Sequence, residues 1–143
     1  MRALHDVDVL IAVHDRQHVR YQTAAHLFRQ HANFDWASCP STQNGAVRVM
    51  SQPLCSQPAP LSALIAMFRR SFADPSPAFL PDDISLADSN VFDSQRIHDH
   101  RQVTDVYLLG PAAVHGGRSV SLDAGIPLSA MQGAKVDHLI EPG

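Results

Sequence analysis

Three aspartates stand where the sequence predicts that a strand or a helix meets a loop. Asp6 ends the apolar stretch that begins the chain, Asp123 directly follows the predicted strand 119–122, and Asp105 stands beside Thr104 at the start of a predicted helix. A single aspartate at such a place is usually a turn or cap residue. Several carboxylates brought together repel one another unless a divalent cation holds them. Together they predict a Mg²⁺ or Mn²⁺ site, and such ions serve phosphoryl transfer.

The elements that must position these aspartates alternate between strands and helices. Runs of β-branched and aliphatic residues predict strands near 3–6, 36–39, 84–86, 119–122 and 136–140. Apolar residues at helical spacing predict helices over 19–31, 61–72 and 104–115, and a short helix after Asp6. Segment 41–51 fits a hairpin or a helix, and we interpret it as a helix. This alternation predicts an α/β fold with a parallel sheet covered on both faces.

Prolines and glycines predict where regular structure ends. Segments 53–60 and 74–83 are rich in proline and are expected to be loops, and Gly116 with Gly117 is expected to end the helix 104–115. Within that helix, Gly110 and Pro111 are unfavourable by about 1 and about 3 kcal/mol, because glycine adds backbone freedom and proline removes an N–H. We therefore expect the helix to kink or break there.

Length and composition favour one cytoplasmic globular domain over residues 1–143. The 45% hydrophobic and 17% charged residues exclude a collagen, a disordered tail or a coiled coil. The longest apolar run, 9–13, is too short to cross a membrane, and the acidic start does not resemble a signal peptide.

Cys39 and Cys55 form no metal-binding pattern and are expected to be buried free thiols. The net charge of −3 does not exclude nucleic-acid binding, because arginines can gather on one face.

Four segments resemble, in order, the motifs of PIN-domain ribonucleases, most closely VapC-type toxins of bacterial toxin–antitoxin pairs. They are DVDVLI at 6–11, WASCPSTQNG at 36–45, RQVTDVYLL at 101–109 and HGGRSVSLD at 115–123, and they cover essentially the whole chain. The resemblance implies a three-layer α/β/α sandwich with a mostly parallel sheet of four to five strands. It also implies metal-dependent endoribonuclease activity, an RNA substrate, a VapB-type antitoxin and a homodimer.

The resemblance also assigns roles to residues. It implies that Asp6, Asp105 and Asp123 are catalytic and hold Mg²⁺ or Mn²⁺. Many family members have Glu where this chain has Gln43, and an amide brings no charge. We expect Asp8 to be a further metal ligand that restores this charge, since residues two apart on a strand share one face. A solvated Asp8 just past the strand is the alternative.

The remaining polar residues are expected to assist the site or to serve the surface. Thr104 and Gln43 are expected to support the ligands through hydrogen bonds. Residues expected to contact RNA phosphates are Arg48, Arg101 and Arg118, with Arg69 and Arg70 as further candidates. The pair His14 and His18 superficially resembles a zinc-binding helix but lacks the accompanying glutamate, so we assign it to structure.

Three departures from the family pattern leave a second function open. Gln43 lacks the carboxylate, His5 stands at an apolar strand position, and Gly110 with Pro111 interrupts a helix that the family keeps continuous. The alternative is a catalytically weakened PIN domain that only binds RNA or a protein partner.

Overall fold

The structure, a computed structural model, describes residues 2–31, 35–52, 59–73 and 78–142. Its strands are β1 (Arg2–His5), β2 (Asp35–Ser38), β3 (Ala78–Phe79), β4 (Arg118–Val120) and β5 (Leu139–Ile140). Its α-helices are α1 (Val7–His14), α2 (Tyr21–Gln30), α3 (Pro40–Met50), α4 (Leu61–Phe72) and α5 (Val103–Val114). Every pairing between the strands is parallel, and the sheet order is β3-β2-β1-β4-β5.

Helices cover both faces of this sheet. On one face Ala3 and Val120 pack with residues of α1 and α2, and on the other face Leu4 and Ala37 pack with residues of α5. Neighbours such as Ala3 and Leu4 enter different layers because successive strand residues point to opposite faces. Helices α3 and α4 add to the first layer by packing on α1. The predicted three-layer α/β/α fold with a parallel sheet of four to five strands is therefore confirmed.

Local chemistry explains why segment 41–51 is a helix. The amide of Cys39 donates to the hydroxyl of Thr42 at 3.0 Å, and Pro40 occupies the first helical position, where its missing N–H has no partner to lose. Cys39 is a buried free thiol, as predicted, whereas Cys55 and most of the predicted loop 53–60 lie outside the described residues.

Helix α5 continues through Gly110 and Pro111, so the predicted break is wrong, whereas a kink there stays a prediction. Both residues are buried, and a Cβ atom on Gly110 would lie 3.0 Å from the ring of Phe92. The small residue thus lets the helix approach its neighbours closely, and burial of the proline ring offsets the missing hydrogen bond. The helix ends at Val114, two residues before Gly116, whose φ of 71° favours the glycine that was predicted to end it.

The predicted strand boundaries need three corrections. Residues 84–86 form no strand, because Ile84 and Leu86 pack against the cluster around Phe92 instead. Strand β3 lies inside a segment predicted to be loop, and its two residues are too few to show an alternating pattern. Strand β5 starts at Leu139 because residues 136–138 form a turn of 3-10 helix.

His5 is a buried polar residue in an apolar layer. Its ring stacks on Trp36 at 5.5 Å between centroids and meets Phe28 edge-on at 5.9 Å. Burial, with a smaller effect of His14, lowers the pKa of His5 to about 3. The imidazole is therefore neutral at physiological pH and packs as an aromatic ring.

Among the described residues, no helix has the length and hydropathy that a membrane crossing requires.

Candidate active site

Asp6 lies where the central strand ends and α1 begins. Its amide donates to the Val120 carbonyl of β4 at 3.0 Å, and its Oδ1 accepts the Val9 amide at 2.8 Å. A short acceptor at this position caps the helix, and the positive end of the helix dipole favours its negative charge. The side chain is buried, so both the strand and the helix hold it in one place.

Asp105 and Asp123 come from two other elements, α5 and the segment after β4. Asp105 lies in the first turn of α5, and its carboxyl group is close enough to Asp6 to raise the pKa of Asp6. Asp123 follows β4 after the extended residue Ser121, whose amide still pairs with the Ile140 carbonyl at 3.0 Å. Asp105 and Asp123 line one cavity of about 280 Å³.

The carboxyl groups in this cluster are electrostatically unfavourable. Burial raises the pKa of Asp6 to about 7, with smaller increases from Asp105 and Asp8, although hydrogen bonds from Ser121 and Val9 act against it. Burial, Asp123 and Asp8 raise the pKa of Asp105 to about 6. Negative charge is thus concentrated here without enough positive charge to balance it, which is the environment that a divalent cation relieves.

Asp8 lies in the first turn of α1 and not on a strand, so the expectation of a shared strand face is wrong. The chain turns into the helix directly after Asp6, which carries Asp8 to the exposed rim of the site. It still faces the other acids, since burial and Asp123 raise the pKa of Asp8 while His18 and Arg20 lower it.

Ser121 is a site residue that the sequence analysis missed. Its buried hydroxyl bonds to the Asp6 carboxyl group and accepts the Asp123 amide at 3.1 Å. One hydroxyl therefore orients two of the three predicted catalytic aspartates. A serine two residues before an aspartate is the available signal, because serine often bonds to a nearby backbone amide.

The two residues expected to support the ligands differ in their surroundings. The Gln43 amide donates to the Ser38 hydroxyl at the end of β2 at 2.9 Å, so it anchors α3 to that strand end. Thr104 is exposed on α5, and its hydroxyl has no hydrogen-bond partner among the described residues.

Only one of the three arginines expected to contact RNA, Arg101, lies at the acidic cluster. Arg101 lines the same cavity as Asp105 and pairs with Asp99 at 2.7 Å. Arg48 lies in the last turn of α3, and Arg118 begins β4 at the edge of the sheet opposite the cluster. The structure therefore places neither Arg48 nor Arg118 beside the aspartates, and α4 carries Arg69 and Arg70 in its last turn.

A second arginine, Arg20, reaches the cluster without having been predicted. Its Nη1 lies 3.7 Å from Asp123 Oδ1, and its Nη2 donates to the Leu122 carbonyl.

The acidic cluster offers hard carboxylate oxygens, which are the ligands that Mg²⁺ and Mn²⁺ prefer. Within the described ranges, however, no three His, Cys, Asp or Glu side chains lie close enough to enclose an ion. The Asp6–Asp105 pair is assembled, whereas Asp123 is engaged by Arg20.

Comparison with curated proteins finds several relatives that span nearly the whole chain. Ribonuclease VapC44 of Mycobacterium tuberculosis is 42% identical over 139 residues, which are 97% of this chain and 98% of the relative. Ribonuclease VapC39 of the same organism is 37% identical over 134 residues, 93% and 96% of the two chains. Ribonuclease VapC38 is 37% identical over 137 residues, 93% of each. No protein-family model matches the chain.

Proposed function

Because this chain belongs to the VapC ribonucleases, we propose that it hydrolyses RNA phosphodiester bonds as the toxin of a type II toxin–antitoxin pair. The observation that carries this proposal is a cluster of carboxyl groups where the central strands end. Asp105 and Asp8 raise the pKa of Asp6, and Asp123 and Asp8 raise the pKa of Asp105. Such a concentration of buried negative charge is costly for the fold, and it is typical of a site built for function.

Asp6, Asp105 and Asp123 would hold Mg²⁺ or Mn²⁺, with Asp8 as a further carboxylate at the rim. When bound, the ion supplies an activated water and offsets negative charge on the phosphate. The chain itself supplies orientation: the α1 cap fixes Asp6, and Ser121 bonds to Asp6 and accepts the Asp123 amide. Gln43 contributes no charge, so we propose that it supports the site through Ser38.

The partners follow from the same family membership. We propose RNA as the substrate, a VapB-type antitoxin as the protein partner, and the cytoplasm as the location. That residues 1–143 form one domain also stays a prediction. Self-association as a homodimer is supported by Leu61 and Ile65 on α4, which are 56% and 45% exposed although both are large and apolar. Sedimentation analysis of the purified chain tests the dimer.

Cleavage of a labelled structured RNA by the purified chain tests the proposed function. We expect cleavage with Mn²⁺ or Mg²⁺, none with EDTA, and none by Asp105→Asn, which removes a ligand charge at nearly constant volume. Asp35→Asn is the matched control, because Asp35 is an exposed carboxylate at the amino end of β2, away from the site. Cleavage by Asp105→Asn at the wild-type rate would refute the assignment of the site.

The alternative is a PIN domain that binds RNA or protein without cutting. It is favoured by the absence, among the described residues, of three side chains arranged to enclose an ion. If the wild-type chain neither cleaves RNA nor binds Mn²⁺, the alternative replaces the nuclease.

A further inference from the structure

The loop between α1 and α2 is fixed by its own hydrogen bonds. The Asp15 carboxylate accepts the Gln17 amide at 3.0 Å, and His18 Nδ1 accepts the Arg20 amide at 3.1 Å. The side chain of Asp15 is buried, which anchors the loop to the protein. His18 therefore has a structural role, because its bond holds Arg20 in a defined position just before α2.

The Arg20 guanidinium lies between the acidic cluster and solvent. It bonds to the Leu122 carbonyl, and it lies 3.7 Å from Asp123 with 39% of its side chain exposed. It also lowers the pKa of Asp8. It therefore lies on the exposed side of the acidic cluster, beside Asp123 and near Asp8.

Arg20 differs from Arg101, the other arginine at the site, in how its donors are used. Arg101 donates to the Asp99 carboxylate from Nη2 at 2.7 Å and from Nε at 3.1 Å. Its charge is therefore neutralised by a neighbouring residue. Arg20 is 3.7 Å from its carboxylate, longer than a hydrogen bond, and a guanidinium has five donors. Arg20 thus retains donors for a group arriving from solvent.

We propose that Arg20 is a substrate-binding residue that holds a backbone phosphate of the RNA beside the aspartates. The inference rests on the proposed function, because it assigns a phosphate-bearing substrate to the same site. Four acidic groups repel a polyanion, so a cation beside them is needed to bring the backbone within reach. The planar fork of arginine matches the oxygens of a phosphate and binds them with two parallel hydrogen bonds.

Binding of a labelled polyuridine oligonucleotide in EDTA tests this role without any cleavage. Fluorescence anisotropy over a range of salt concentrations should show Arg20→Gln binding roughly tenfold more weakly than wild type, the loss expected for one charge-assisted contact. The slope of log K against log salt should become shallower by about 0.7, the value for one phosphate on a single strand. Arg29→Gln is the matched control, because Arg29 is exposed near the opposite end of α2.

The structural alternative is that Arg20 only ties α2 to the Leu122 carbonyl. Then Arg20→Gln would lower Tm but leave both affinity and salt slope at the wild-type values, and this result would overturn the proposal. Arg20→Lys keeps the charge, so it should retain the wild-type slope with a smaller loss of affinity.

If Arg20→Gln does not fold, the wild-type protein decides. Its Arg20 Nε–H nuclear magnetic resonance signal should shift when polyuridine is added, and a signal that stays in place would overturn the proposal. The proposal would also be overturned if the wild type showed no salt-dependent RNA binding. A chain that binds RNA through Arg20 but never cleaves it with Mn²⁺ would refute the nuclease and leave this inference standing.

Discussion

Replacing Asp6 with Asn should stabilise the metal-free protein at neutral and higher pH. The pKa of Asp6 is 3.8 in the unfolded chain and about 7 in the folded protein. Between these values the unfolded state loses the proton first, so the wild type loses stability as pH rises through this window. This difference in pKa lowers the free energy of unfolding by about 4 kcal/mol at high pH, since each pKa unit corresponds to about 1.4 kcal/mol.

The measurement is the free energy of unfolding in urea with EDTA, for wild type and Asp6→Asn, at several pH values. The free energy of unfolding of Asp6→Asn, relative to that of the wild type, should increase by about 3 kcal/mol from about pH 5 to about pH 8. His5 has the opposite pH dependence, because its folded pKa is about 3 against 6.5 unfolded. It is present in both proteins and cancels in the difference.

Asp35→Asn serves as the control, because this exposed carboxylate should leave the pH dependence of stability close to that of the wild type. A difference between wild type and Asp6→Asn that is independent of pH would refute the reasoning. So would a variant that loses stability relative to the wild type as pH rises.

Four further outcomes are expected. Mn²⁺ at about 100 times its Kd should add about 2.7 kcal/mol and raise the wild-type Tm by roughly 10 °C at about pH 8, as measured by scanning fluorimetry, whereas Asp6→Asn should not respond. Ser121→Ala should reduce the cleavage rate at least about tenfold, because both aspartates lose their orienting hydroxyl; a wild-type rate would exclude this role. His5→Leu should gain about 2 kcal/mol relative to wild type in urea unfolding from about pH 8 to about pH 5, since only the wild type has the His5 imidazole, which protonates on unfolding. Asp8→Asn should weaken Mn²⁺ binding in calorimetry, and Gln43→Glu added to it should restore part of the affinity.

Elements with many residues and strong periodicity could be predicted from the sequence. Helix α4 was predicted with its observed bounds, because its apolar stripe is long enough to be unambiguous. Strand β3 was missed because two residues carry no pattern, and the break at Gly110 and Pro111 was wrong because burial in the folded core outweighs helix propensity.

The candidate site shows the same limit at the level of side chains. Asp6, Asp105 and Asp123 could be found because each stands at an element end, where alternating strands and helices bring such residues to one sheet edge. Arg20 and Ser121 were missed because their roles depend on contacts across the fold, as with Arg20 and the distant Leu122 carbonyl.

The order of strands in the sheet has a consequence for synthesis on the ribosome. Strand β1 begins at Arg2, but one of its two neighbours, β4, begins only at Arg118. Chains emerge from the amino end, so most of the protein must be made before this pairing of distant segments can form. Asp6 follows β1 and Asp123 follows β4, so this pairing brings their two segments together. A growing chain therefore carries no assembled acidic cluster until most of it has been made.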